Sequence, residues 1–438
     1  MIHFQIPRNS IHLYEDIDCF FSEILPPPPG FEPIECITKP VCSNSLSKYL
    51  YDIKERIRLY EKDWDVYKRY TNPYEYIHTP VPTSYTNNDF EHSTENNSTS
   101  SNRRESVDLN SRRYKSFSVK YKGSNKSVSK YKPLSRSYFK MIELTNFFRL
   151  LDTVNSSIKT EDSPITSFHL AEGPGGFIEA LVNMRANKCD KYIGITILDD
   201  VFDPNIPAWK KSEHFLKENQ NVFIETAADK TGDILSISNF DYCVDKYGST
   251  MDIITGDGGF DFSIDFNSQE INISRLLFAQ VAYAVSLQKH RGSFILKIFD
   301  CFMQHTIDIL SILSSFYEKV YVTKPQTSRY ANSEKYIVCK GFLFRSSNDF
   351  LPFIRAAFEK IMDRSNIQKD VSRFLNVPIS NYFINRIEEL NAIFGQQQIE
   401  NIHYTISLID CKNRSEKINT LVKGNIEKCV LWCAKHNC

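Results

Sequence analysis

No run of apolar residues in the 438-residue chain approaches the roughly 18 that a membrane-spanning helix needs. The opening MIHFQIPRNS has no basic flank leading into an apolar stretch, so it carries no secretory pattern. Neither sign of charge is in excess, with Lys+Arg and Asp+Glu at 53 each. That excludes a globally basic nucleic-acid coat but leaves room for a local basic patch. The 11 cysteines, scattered from Cys19 to Cys438, cannot all pair. Without an export pattern they read as reduced, intracellular thiols. Cys429, Cys433, His436 and Cys438 crowd the C-terminal end but lack the spacing of a known zinc motif. With Leu431 and Trp432 among them, they fit a packed terminal helix, and no metal is expected.

What is present is ordinary for a folded chain: 41% hydrophobic, 24% charged and 13% aromatic residues, enough for a sizeable core. At roughly 150 residues per domain the length implies two or three domains. Residues 1–78 read as a mostly helical module. Pro26 to Pro29 form a stiff turn, and Leu46, Leu50, Ile53, Ile57, Tyr60, Trp64 and Tyr67 recur at helical steps. Residues 79–132 are dominated by Ser, Asn and Thr and read as a flexible linker. Its second half is basic, with ten Lys or Arg against two acids over 102–132, interleaved with Tyr114, Phe117, Tyr121 and Tyr131. Such a segment can follow a phosphate backbone and stack on bases, or be a solvated tether.

From about residue 133 to 345, short apolar runs alternate with amphipathic stretches. Strands are expected at 168–171, 192–198, 251–255, 293–299, 320–323 and 336–344, and helices at 177–184, 273–287 and 306–316. Strands alternating with helices imply a doubly wound α/β fold with a mostly parallel sheet. The last two strands have no helix between them and fit an antiparallel hairpin at its edge. Residues 346–438 read as a helical region, with helices at 350–362, 381–394 and 416–435.

The first chemical signal is Leu170-Ala171-Glu172-Gly173-Pro174-Gly175-Gly176-Phe177, a strand running into a glycine-rich turn and then a helix. Glycines allow close approach and positive φ, and open α/β sheets bind ligands at the carboxyl ends of their strands. The glycine spacing is not G-x-G-x-x-G, and the Lys-Ser/Thr of a P-loop is missing, which argues against a nucleoside triphosphatase. The second signal is a set of charges around such ends. Lys140 lies in Ser135-Arg136-Ser137-Tyr138-Phe139-Lys140, Asp257 in Gly256-Asp257-Gly258-Gly259, Lys297 inside the apolar strand FILKIF, and Glu334 at the start of EKYIV. An unpaired ammonium is costly to bury, so a lysine in FILKIF needs a partner, and Asp257 can meet it beside the glycine turn.

These segments, with Lys324-Pro325 through Ile337, resemble the FtsJ-type RNA ribose 2′-O-methyltransferases. Within them the best match is the Adrift-type group, which includes cap-specific mRNA 2′-O-methyltransferases and relatives in large DNA viruses. The resemblance covers residues 134–345 and leaves out the N-terminal module and the helical tail. It implies a Rossmann-like class I methyltransferase fold and S-adenosylmethionine (SAM) as methyl donor. It also implies a catalytic tetrad of Lys140, Asp257, Lys297 and Glu334. Its substrate would be RNA, above all capped mRNA at the first transcribed nucleotide. Other capping or transcription proteins are candidate partners, no membrane is involved, and the oligomeric state is not readable. The alternatives are 2′-O-methylation of an internal ribosomal or transfer RNA site, or an inactive RNA-binding scaffold on the same fold.

Methyl transfer to a ribose hydroxyl needs in-line alignment and removal of a proton. A lysine can be the base where burial and a second cation disfavour its charged form. Lys297 is the candidate base, Lys140 the neighbouring cation, and Asp257 and Glu334 the orienting carboxylates. Cofactor binding is expected from Ala171, Glu172, Gly173, Pro174, Gly175, Gly176 and Phe177, with Ser135 beside them. Asp233 and Ile234 fit the adenine side, with Asp229 as a rival, and Asp199 or Asp200 could hold ribose hydroxyls. Lys324, Ser328 and Arg329 are the candidate RNA contacts.

Overall fold

The computed structural model describes residues 1–8, 14–21, 39–82, 126–154, 163–198, 208–259, 267–366, 368–411 and 414–438. The proline run, most of the basic linker and Asp199-Asp200 lie outside them. In chain order the strands are β1 (Ile2–Ile6), β2 (Ile17–Phe21), β3 (Thr166–Leu170), β4 (Lys191–Ile195), β5 (Val222–Glu225), β6 (Met251–Gly256), β7 (Gln288–Ile298), β8 (Tyr317–Lys324), β9 (Lys335–Phe342) and β10 (Val371–Leu375). Eight of them form one sheet in the order β1-β8-β9-β7-β6-β3-β4-β5, and β10 pairs with β2. Neighbours from β5 to β7 are parallel. β9 inserts antiparallel between β7 and β8. This is the expected Rossmann-like α/β sheet with an antiparallel hairpin.

Strand pleating sorts the apolar residues onto two faces. Ile254, Phe294, Leu296, Ile337 and Cys339 pack on one face, in a core shared with helices Ile237–Tyr247, Ser274–Leu287, Gln304–Phe316 and Leu351–Met362. Ile253, Ile295, Tyr336 and Val338 pack on the other, with helices Ser137–Phe148, Gly176–Arg185 and Arg414–His436. Helix Ser274–Leu287 is apolar nearly all round because the sheet and neighbouring helices enclose it.

Residues 1–78 contain the expected helices, Asn44–Ile57 and Glu61–Tyr70. They also supply β1, which pairs antiparallel with β8 and makes the edge of the main sheet, outside the hairpin. Its partner is more than 300 residues away in sequence, so five residues alone gave no sign of it. Helix Asn381–Asp410 runs well beyond the expected end at 394. Its far half packs through Ile402 and Ile406 on Leu50 and Ile53 of the first helix. Cys429, Cys433 and Cys438 are buried free thiols, and His436 lies against Trp432 with ring centroids 4.3 Å apart and the rings tilted by 31°. Among the described residues no helix is long and apolar enough to cross a membrane.

The N-terminal module is joined to the sheet by buried charge. Glu75, fully buried, accepts from Asn72 at 2.6 Å and from Arg329 at 2.7 and 3.2 Å, with Arg136 at 3.6 Å. Burial alone would raise its carboxyl, but Arg329, Arg136 and His78 outweigh that and hold it down at about 2. A depressed carboxyl adds stability that is complete above its ordinary pKa and is lost as pH falls through the depressed one. The contribution of Glu75 is therefore lost between about pH 4.5 and pH 2, on the order of 3 kcal/mol. Glu75→Gln should lower stability at pH 7 and flatten the acid limb of a urea-midpoint-versus-pH curve. An acid limb unchanged by the substitution would remove Glu75 from this role.

Candidate active site

The chain leaves β3 for β4 and β5 on one side and later fills β6 and β7 on the other. That reversal opens a crevice at the carboxyl ends of β3 and β6. The glycine turn follows β3, and Asp257 follows β6 directly. Ala171 and Gly175 both adopt left-handed backbone, at φ 52° and 103°. At Gly175 the space for a side chain is already taken by Trp209, 3.3 Å from where a Cβ would sit. At Gly176 a Cβ would collide with the hydroxyls of Ser135 and Ser137. These glycines thus let the turn pack tightly against protein on both sides, with Ser135 touching the turn and the start of helix Ser137–Phe148 beside it. Glu172 is buried. Its Oε1 accepts from the Phe177 N–H at 2.7 Å, capping helix Gly176–Arg185. Its Oε2 is buried without a hydrogen-bond partner. Burial, then the charge of Asp257, pushes this carboxyl well above the usual range against the opposing pull of Phe177, Ile178 and Lys297.

Strand register gathers the four charges. Lys297 on β7 is directly paired with Tyr336 on β9, so both face the side covered by helix Ser137–Phe148. Glu334 lies two residues before Tyr336 and shares that face, and Lys140 projects from the covering helix. Lys140 Nζ lies 2.7 and 2.9 Å from the two oxygens of Glu334. Lys297 Nζ donates to the Asp257 carbonyl at 2.6 Å and lies 3.3 Å from its Oδ1. Tyr336 joins the pairs: its hydroxyl donates to Asp257 Oδ1 at 2.9 Å and accepts from Lys140 at 3.4 Å. The four charged side chains keep only 12–16% of their surface exposed, sheltered yet reachable. Burial would raise the Glu334 carboxyl, but Lys140, Lys297 and Lys324 hold it at about 2, so it is a carboxylate. Burial, followed by Asp257 and Glu334, pushes the Tyr336 phenol well up, so it stays a neutral donor.

The loop between β8 and β9 is arranged differently from the expectation of free RNA contacts. Lys324 is buried, and its ammonium donates to Asn332 O, Asn332 Oδ1 and Glu334 O at 2.7–2.8 Å. Those bonds fold the loop and leave Lys324 no path to a phosphate, because a buried ammonium must be paired locally. Ser328 is also buried and donates to Glu334 Oε1 at 2.8 Å, orienting the carboxylate. Arg329 keeps 28% of its side chain exposed beside Glu75. In the segment expected to face adenine, Asp229 Oδ1 is occupied by Thr231 and by Asn239 at 2.8 Å. Asp233 Oδ1 accepts from Leu235 N at 2.9 Å, and Ile234 is buried.

Three contributors escaped sequence reasoning. Tyr336 was legible in principle, since it lies two residues past Glu334 on a strand. Gln280 holds the Asp257 loop by accepting from Gly258 N at 3.1 Å, but it sits in an apolar helix with nothing to mark it. Glu143 accepts from Gln326 N at 2.7 Å and Thr327 N at 3.1 Å, fixing the 324–334 loop. It reads in the sequence as one more helical acid.

The model of the FtsJ-like methyltransferases matches residues 133–342. The cap-specific mRNA (nucleoside-2′-O-)-methyltransferase 1 of Trypanosoma brucei brucei is 32% identical over 196 residues, 44% of this chain and 52% of that protein. The cap-specific mRNA (nucleoside-2′-O-)-methyltransferase 2 of Pongo abelii is 28% identical over 269 residues, 60% of this chain and 34% of that one. A Caenorhabditis briggsae protein named an inactive cap-specific mRNA (nucleoside-2′-O-)-methyltransferase 1B is 26% identical over 241 residues, 52% of this chain and 27% of that one. The chain thus spans about half or less of the length of these relatives. The stretch matched by the FtsJ-like methyltransferase model, residues 133–342, is the one that holds all four charged residues.

Proposed function

We propose that this chain is a SAM-dependent RNA ribose 2′-O-methyltransferase acting on the first transcribed nucleotide of capped mRNA. The observation that carries the reading is the pair of contacts Lys140–Glu334 and Asp257–Lys297, joined by Tyr336 beside the glycine turn. The capped substrate is suggested by the similar proteins, which are cap-specific mRNA (nucleoside-2′-O-)-methyltransferases. The buried, unpartnered Oε2 of Glu172 fits a cationic cofactor, because SAM carries both an ammonium and a sulfonium. Asp233 and Ile234 suit the adenine, one through a carboxylate oxygen and the other through apolar contact. When bound, SAM supplies an electrophilic methyl carbon and departs as a neutral thioether.

The Lys297 amine takes the proton of the attacking ribose hydroxyl. Asp257 aims that amine from two sides, through its carbonyl and its carboxylate. Lys140, held by Glu334 and Tyr336, places a positive charge beside the oxygen as negative charge develops on it. Ser328 and Lys324 keep Glu334 and its loop in place for this purpose. Tyr336→Phe removes the link between the two pairs while keeping the ring. Hydrogen bonds to charged groups contribute about 1.5–3 kcal/mol, so kcat should fall by roughly 10- to 100-fold with SAM affinity unchanged. A variant turning over at the wild-type rate would make the bridge incidental.

The test of the reading is transfer of tritium from labelled SAM to capped RNA, to its uncapped twin and to capped RNA already methylated at the first ribose. Label in the first alone supports it. Equal label in capped and uncapped RNA would move the substrate to an internal site. A second reading, an RNA-binding scaffold without turnover, is favoured by the inactive relative, and SAM binding with no label in any RNA would establish it.

A further inference from the structure

Away from the charged pairs, a cavity of 430 Å³ opens at the amino ends of β7 and β8, within the size range of ligand sites. Four cations line it: Arg149, Arg291, Lys319 and Lys340. The carboxylates near them are Glu318 in its wall and Asp152, which pairs with Arg149 at 2.8 Å. In a chain of zero formal net charge this is a local positive excess. Lys340 is fixed by donating to the Phe148 carbonyl at 2.6 Å. Burial, then the charges of Lys319 and Arg149, pushes its ammonium down against the opposing pull of Asp152 and Glu318. Such crowding is relieved when an anion enters. Arg291 is presented by a bulge in β7, where Gln288 pairs with Met251 but Ser293 pairs with Ile253. Neither Arg291 nor Lys319 has an ion pair among the described residues.

The remaining wall is aromatic. The ring centroid of Phe147 lies 5.2 Å from that of His3 and 5.0 Å from that of Phe148, and Phe148 is 5.2 Å from Tyr321. Phe147 is 39% exposed, so a ring face remains open beside the cations. Cations beside exposed rings are how proteins hold single-stranded nucleic acid without reading its sequence.

The cavity and the charged pairs lie on the same side of the sheet. Helix Ser137–Phe148 carries Lys140 near its start and Phe147 at its end, and Arg149 follows it. Nine residues of helix from Lys140 to Arg149 span about 13 Å. The sheet gives the same separation, since the four residues from Tyr336 to Lys340 on β9 also span about 13 Å. At about 3.4 Å per stacked nucleotide, that is roughly four nucleotides.

We infer that this cavity is a second RNA site, which takes a nucleotide of the substrate strand about four positions from the ribose at the charged pairs, its base against Phe147 and its phosphates among Arg291, Lys319, Arg149 and Lys340. The inference rests on the proposed function for the identity of the strand. It predicts that the chain grips long RNA more tightly than RNA too short to span the distance.

The test compares capped RNAs of three and twelve nucleotides, measured by fluorescence anisotropy against the full chain over a range of salt. In the wild type the twelve-mer should bind at least tenfold tighter. The double variant Arg291→Glu, Lys319→Glu changes two exposed side chains and should melt normally. It should lose that preference, with the slope of log affinity against log salt falling by about 1.4, the loss of two phosphate contacts on a single strand. Phe147→Ala should weaken the twelve-mer by roughly tenfold at unchanged salt slope. Equal affinity of the wild type for both lengths, or an unaltered preference and slope in the double variant, would overturn the inference. Tritium transfer from SAM to the twelve-mer by the wild type, run in parallel, separates the two ideas. Transfer with no length preference sinks the second site alone, whereas a length preference without transfer sinks the enzymatic reading and leaves the second site standing.

Discussion

Lys297→Ala is expected to lower methyl transfer from SAM to capped RNA by about 10²- to 10⁴-fold, the usual worth of a positioned general base. SAM affinity and the melting temperature should stay close to those of the wild type. The side chain ends at Asp257 and not at the glycine turn, so its removal leaves the turn, the Glu172 cap and the helix behind it intact. Single-turnover rates with calorimetric SAM binding on the same preparation distinguish a lost base from a lost pocket. A variant that bound SAM but retained more than a tenth of the rate would require another base, and Lys140 would be next to examine. Lys297→Arg is the complementary test. It keeps a positive charge near Asp257 but cannot accept a proton at neutral pH, so it should fail as completely as alanine. Rescue by arginine would mean that Lys297 acts only as a fixed charge.

Asp300→Asn should be the most destabilising single change, by about 3–5 kcal/mol, because it strips the carboxylate from two buried ammonium groups. Asp300 follows β7 closely and meets Lys54 at 2.9 Å, Lys335 at 3.3 Å and the Ser333 hydroxyl at 3.0 Å. None of the three charged side chains is more than 12% exposed. Burial would raise the Asp300 carboxyl, but Lys54 and Lys335 outweigh it and hold it far below the usual carboxylate range. The stabilisation is therefore complete above the ordinary carboxylate pKa and is lost only in strong acid. Urea unfolding at pH 7 measures the cost. Lys54 comes from the first helix, and Lys335 adjoins Glu334. The same variant should therefore loosen the N-terminal module and reduce turnover. Asp300→Leu is the informative control, since it retains packing but no polar contact. If both variants unfolded at the wild-type urea midpoint, the cluster would have no structural weight.

Much of the candidate crevice was legible because its signals are local. A strand, a glycine turn and a helix occupy one short segment, and a lysine inside FILKIF calls for a partner by simple electrostatics. Asp257 could be paired with it because both sit at the ends of neighbouring parallel strands. The outward role expected of the 324–329 loop was not borne out for Lys324. Sequence shows a cation near a candidate site but not which way the loop turns it. Here Asn332 and the Glu334 carbonyl take three hydrogen bonds from the ammonium.

The alternation of apolar runs with amphipathic stretches determined the α/β class, the parallel order of the central strands and the end of the sheet at which polar residues gather. Those features follow from periodicity and turn chemistry, which act over a few residues. Folding in three dimensions decided the rest. Residues 2–6 close the sheet against a strand more than 300 positions away, Glu75 and Lys54 tie the N-terminal module to the edges of the site, and Tyr336 links the two charged pairs. Each of those contacts joins segments distant in sequence, and its energy depends on burial and register, which exist only once the chain is packed.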